Sequence, residues 1–274
     1  MIALVRTEFT KAARRTRTLI LALLLVGLPT LIVAAINAHG DRGGGDRGEG
    51  LFRLARQSGL VVPAAVLSVM SGFLLVVIAG TLAGDSVAGD AAWGNLRYVL
   101  MRPVARGRLL IAKAAVADLL IWACTLLVCV AALTAGVLVF GAHPVTVPIG
   151  FGTGFQLGKA TLLARLAIGT GYVAFGFSAL LGMGTLFSTL TDAATSAIGA
   201  TVGVYIVSEI LDGISQLGRL RYGLPTHYLS AWESMFTANQ YSTDMLVGLA
   251  VQVAYLAGFG TAALVWFRRK DIRS

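Results

Sequence analysis

Apolar positions along this chain are not spaced three or four apart, as on a half-buried helix, nor alternated, as in a strand; they fill long unbroken runs. A bilayer crossing takes about 20 consecutive apolar residues, and runs of that order cover 19–38, 59–84, 114–140, 166–190, 193–211 and 245–267. Backbone polar groups in hydrocarbon must be paired within their own segment, and no ten-residue alternation suggests a barrel, so each run is expected to be a helix. The predicted fold class is an all-α integral membrane protein with six transmembrane helices in a single domain, 1–274.

The punctuation between runs refines this. Uncharged sequence extends from Leu119 to Gly158, too far for one crossing, and Gly141, Pro144 and Pro148 divide it into a third span and a loop or partly embedded segment. Thr191 and Asp192 leave room only for a tight turn, making spans four and five a helical hairpin. The glycine-rich stretch 40–50 reads as a flexible loop leading into Leu51–Gln57, and 212–244 is the largest connection in the second half.

Composition agrees: 57% of residues are hydrophobic and 13% charged, against about a quarter charged in ordinary soluble domains. The net charge of +9 sits in clusters at the ends of apolar runs, which suits anionic headgroups and not nucleic acid. With six spans the termini share a side, and that side holds fourteen Lys and Arg against eight opposite. The excess predicts a multi-pass protein of the cell membrane with both termini cytoplasmic. The first apolar run is too long for a secretory h-region and no small-residue cleavage site follows it.

Candidate chemistry is sparse. Gly169-x-Gly171-x-x-Ala174 has dinucleotide-fingerprint spacing but lies inside an apolar span, where small residues serve helix packing. The Gly154 to Lys159 stretch has too few residues between its glycines for a phosphate loop. Gly80-x-x-x-Gly84 and Gly199-x-x-x-Gly203 are expected to mark a helix contact. Cys124 and Cys129 suit neither zinc nor a close disulfide, and His39, His143 and His227 stand apart, so no metal site and no catalytic residue is predicted. Asp118 and Glu209 lie near span ends, where snorkelling competes with a functional reading. Ser71, Thr81, Thr125, Thr195, Ser196, Thr201 and Tyr205 are the polar residues expected to line a path, and they do not select a substrate.

The charged segment 85–113 between spans two and three is the most informative. Leu96, Val99 and Leu100 recur at helical spacing opposite Arg97, predicting a short amphipathic surface helix that stops before Pro103. Asp90, Gly94, Leu96, Arg97, Leu100, Arg102, Pro103, Val104, Arg106 and Lys113, together with Glu8-Phe-Thr-Lys11 ahead of span one, resemble the membrane subunits of type-2 ATP-binding-cassette (ABC) exporters. Asn95 and Ala105 stand where that pattern has Thr and Ser, and Asp90 where Glu is commoner.

The resemblance implies a permease with an N-terminal amphipathic helix at 1–17, a coupling loop at 85–113 and an outer re-entrant segment before span six. Its partners would be a pair of ABC ATPase subunits, a second permease and the lipid bilayer. Asp85, Asp90, Gly94, Leu96, Arg97, Leu100, Arg102 and Arg106 would couple to the ATPase, and Glu8 and Lys11 would form the N-terminal interface. No cofactor would bind this chain directly; ATP and magnesium would belong to the partner. Rival readings are a secondary transporter, which should carry paired intramembrane carboxylates or an internal repeat, and a non-transporting scaffold or immunity protein.

Overall fold

The computed structural model describes residues 16–38, 49–92, 105–149, 153–237 and 243–269. Its helices are α1 (Thr16–Ala38), α2 (Glu49–Gln57), α3 (Val62–Gly72), α4 (Leu74–Gly84), α5 (Ala88–Ala92), α6 (Arg106–Phe140), α7 (Lys159–Leu190), α8 (Ala194–Gly213), α9 (Ser234–Thr237) and α10 (Thr243–Arg269). A two-stranded antiparallel hairpin, β1 (Val145–Ile149) with β2 (Thr153–Leu157), separates α6 from α7, and 3-10 turns at Ser215–Gly223 and Ala231–Glu233 lie between α8 and α9. Five helices, with α3 and α4 together as a bent sixth, are long and apolar enough to cross a membrane. The all-α membrane fold is thereby realised.

Helix α7 is the central post. In its apolar stretch 78% of residues are buried, against 22% in α1 and α8 and 17% in α10. Phe177 sits at its centre, and Gly184 lets it close on α4 and α8, where an added Cβ would lie 2.6 Å from Ala83 and 2.9 Å from Thr201. The apolar outer faces of α1, α8 and α10, including Leu23, Leu31, Val207, Ile210 and Val253, are exposed. With hydrocarbon as solvent, such faces carry no penalty.

Several helices run to other bounds than the apolar runs they contain. Span 59–84 is two helices meeting at 54° over Phe73. Ser68 and Ser71 return their hydroxyls to the carbonyls of Ala65 and Ser68, and Gly72 follows; hydroxyls competing for the ladder beside a glycine are a recognised cause of a kink. The helix that holds the run 114–140 begins at Arg106, with Leu109 and Leu110 buried in its first turns. The helix that holds the run 166–190 likewise begins earlier, at Lys159. The runs 19–38, 193–211 and 245–267 fall on the helices Thr16–Ala38, Ala194–Gly213 and Thr243–Arg269.

The uncharged stretch after span three, expected to be a loop or embedded segment, is the β-hairpin; Gly141 at φ +71° turns the chain out of α6, and Val145, Val147 and Leu157 bury one face of the strands. The segment after the glycine-rich loop is the amphipathic helix α2, with Leu51, Leu54 and Ala55 buried and Arg53 and Arg56 on its more exposed side. The turn between α7 and α8 is as short as predicted. In the connection before α10 the chain returns to the bundle: Trp232, Met235 and Phe236 are buried, and Gly169 of α7 makes the room, its added Cβ falling 2.7 Å from the Trp232 ring. Gly169-x-Gly171-x-x-Ala174 is thus helical, and Gly169 is a packing residue. Thr153–Leu157 is strand, so no phosphate loop forms there.

Candidate functional site

The bundle end that carries segment 93–104 is built by the C-termini of α4, α7 and α10, the helix α5 and the N-terminus of α6. Ser188 near the end of α7 fastens it. Its hydroxyl donates to the Gly84 carbonyl (2.7 Å) and accepts from the backbone N–H groups of Val87 (3.1 Å) and Ala88 (2.9 Å). One side chain therefore satisfies orphan groups at the end of α4 and the start of α5, which holds the corner in one geometry.

Asp85 ends α4, with its N–H on the Thr81 carbonyl (3.1 Å), and its carboxylate lies over Gly89, where any Cβ would clash. Asp90 in α5 forms a buried ion pair with Lys113, two turns into α6. Breaking such a pair leaves a charge stranded out of water, so it locks α5 against α6 across the segment that joins them. Beneath it, Val87, Leu110, Ala263 and Phe267 form a small apolar cluster separate from the main core. Arg106, the first residue of α6, is exposed, and Gly107 leaves space for the Arg268 guanidinium, which an added Cβ would approach to 3.2 Å.

The structure thus brings Asp85, Asp90 and Arg106 to one corner. Gly94, Leu96, Arg97, Leu100 and Arg102, and with them the predicted surface helix, lie outside the described residues, as do Glu8, Lys11 and the helix expected at 1–17. Ser188 was not legible: a serine in an apolar run carries no signal that it caps a distant helix. Lys113 matched the loop pattern, but its pairing with Asp90 required the tertiary fold.

The glycine pairs separate. Gly80 and Gly84 face α8, where added Cβ atoms would lie 2.9 Å from Val202 and 2.6 Å from Ile198; Gly199 and Gly203 have open space. The polar residues expected to line a path mostly turn inward on their own helices: Thr81, Thr125 and Thr201 donate to carbonyls four residues back. Tyr205 bonds the Ser71 carbonyl at 3.3 Å beside the α3–α4 bend.

Ionisable residues line two clefts among the described residues. One, of about 490 Å³, is lined by Ser68, Ser71, Tyr205, Glu209, Asp212 and Glu233, among others, and beside it Asp212 pairs with His227 and, at 3.4 Å, with Arg221. Glu209 is four residues from the end of α8, in keeping with an interfacial position. The other, of about 380 Å³, lies between α6, α7 and α10 and contains Asp118. Because α6 begins at Arg106, Asp118 stands twelve residues inside the helix.

Compared with known proteins, residues 4–190 match the family model described as ABC-2 family transporter protein. No curated protein matches the chain.

Proposed function

The chain belongs to the ABC-2 family of transporter proteins, and from that membership we propose that it is one of two permeases in an ABC exporter whose ATP is hydrolysed, with magnesium, by a separate pair of ATPase subunits. Its being an ABC transporter permease in the membrane follows from the family; export, the ATPase drive, the pairing of permeases and a cytoplasmic position for both termini are this proposal. A motor outside the membrane does work on a permease only through a stiff element, and transport needs two permease states that ATP binding biases.

The observation that supports the reading is the fastening of both ends of segment 93–104. On one side Ser188 holds α4 to α5, and on the other the Asp90–Lys113 pair holds α5 to α6. A push on a surface helix at 94–100 would pass into α4, α6 and α7 together instead of dissipating in a slack loop. Leu96 and Leu100 supply the apolar anchors for the ATPase and Arg97 a planar fork for its rim, with Arg102 and Arg106 beyond them.

The test is Leu96→Asp. A charge in a cytoplasmic loop carries little insertion penalty, so the variant should insert as the parent does while stimulated ATP hydrolysis and transport fall at least tenfold. Full transport by a variant that inserts and purifies with its ATPase would remove 94–100 from the coupling path.

A further inference from the structure

The cleft of about 380 Å³ between α6, α7 and α10 has walls of Leu110, Ile111, Leu181, Leu256 and Leu264 and floors of small residues, Ala114, Gly182 and Gly260. Two of its hydroxyls are occupied on their own helices, Thr185 donating to the Leu181 carbonyl (2.8 Å) and Thr261 to that of Ala257 (2.8 Å), while Ser178 accepts from the Trp122 indole (3.2 Å) and lies within reach of both the Ala174 carbonyl (3.3 Å) and the Asp118 carboxylate. Asp118 is the one titratable residue in the lining; Ser178 hydrogen-bonds its carboxyl group, but Oδ1 is buried with no hydrogen-bond partner among the described residues. The nearest lysine along α6, Lys113, is paired with Asp90. A carboxylate inside a membrane span is costly unless something completes its bonding.

We propose that this cleft binds a small amphiphilic ammonium compound, its N–H donors on Asp118 and its apolar body between α6 and α10. Charge complementarity selects a cation, the vacant acceptor selects one that carries N–H, and the apolar walls select an aliphatic or aryl body. A phospholipid ammonium is a poor occupant, because its phosphate would have to follow it into an apolar cleft beside a carboxylate. The exposed flank at Ile111, Ala115 and Ala257 gives entry from the side of the bundle. This deepens the transport reading and rests on it in naming a cargo class, whereas binding itself depends on the cleft alone.

The test uses the full chain in phosphatidylcholine nanodiscs without ATPase, so its failure leaves the coupling proposal standing. Binding of 4-phenylbutylammonium and of 4-phenylbutanol is measured calorimetrically for the parent, Asp118→Asn and Gly260→Leu. A hydrogen bond to a charged group favours the cation by ~10- to 100-fold, so the parent should prefer the ammonium by at least tenfold, and Asp118→Asn should lose that preference but keep the alcohol. Gly260→Leu, with open space at its Cβ, should fill the cleft and weaken both ligands. Equal binding of the two ligands by the parent, or an undiminished preference in an Asp118→Asn protein with parental helical circular dichroism, would overturn the site. Loss of ammonium binding on exchanging phosphatidylcholine for phosphatidylethanolamine would assign it to a lipid headgroup and overturn the free amine.

Discussion

Single polar side chains in this molecule act as fasteners because the surrounding medium gives them no alternative partner. Asp90 and Lys113 are both buried, so removing one takes from the other a counter-charge that water does not replace. Lys113→Met is expected to destabilise the protein by about 3–5 kcal/mol, whereas Asp90→Leu combined with Lys113→Met should recover most of that loss, since a buried pair can be replaced by apolar packing far more cheaply than it can be halved. Detergent-titrated unfolding of the three proteins checks this, and a single variant as stable as the parent would contradict a buried pair. The double variant has a further use: if it is stable yet uncoupled, the pair serves transmission and not merely folding.

At the scale of elements, glycine placement decides which helices can touch. Gly84 meets α8 so closely that an added Cβ would lie 2.8 Å from the Ile198 backbone nitrogen, and backbone cannot swing aside. Gly203 faces open space on the same pair of helices. Gly84→Val should therefore cost about 1–3 kcal/mol or more from overpacking, while Gly203→Val should cost the isolated chain close to nothing. Thermal unfolding in detergent distinguishes the two, and equal effects would show that α4 and α8 do not approach as described. The bend at Phe73 belongs to this scale as well. It divides one apolar run into α3, packed with α6, and α4, packed with α7 and α8, so a single span serves two sets of neighbours.

For the whole molecule, orientation follows from charge and not from packing. The side carrying the termini and the α5–α6 corner holds the larger share of Lys and Arg, which favours its retention in the cytoplasm. In a Cys124→Ala/Cys129→Ala background, Gly44→Cys should react with an impermeant thiol reagent on intact cells and Ser274→Cys only after lysis. Equal labelling of the two would sink the topology. That orientation would put the β-hairpin, α2 and the buried Trp232 segment on the outer side, and the corner held by Ser188 where an ATPase could reach it.

Hydropathy alone marked the chain as a membrane bundle of five or six candidate crossings, and charge clustering suggested its direction, because insertion is governed by the transfer free energy of successive residues, a property written linearly. The motif around Gly94 to Arg106 pointed to the family that residues 4–190 match. Helix ends were less legible, since nothing in the sequence stops α6 before Arg106 or α7 before Lys159, and where packing continues a helix continues. The tertiary structure alone decided that a run whose one proline, Pro63, sits at its helix start bends ten residues later at Phe73, that Val145–Ile149 and Thr153–Leu157 pair as strands, that Ser188 caps a helix about a hundred residues away, and that Asp118 opens into a cleft. Each depends on partners distant in sequence, and bonding capacity left open by one segment is visible only once the others have closed around it.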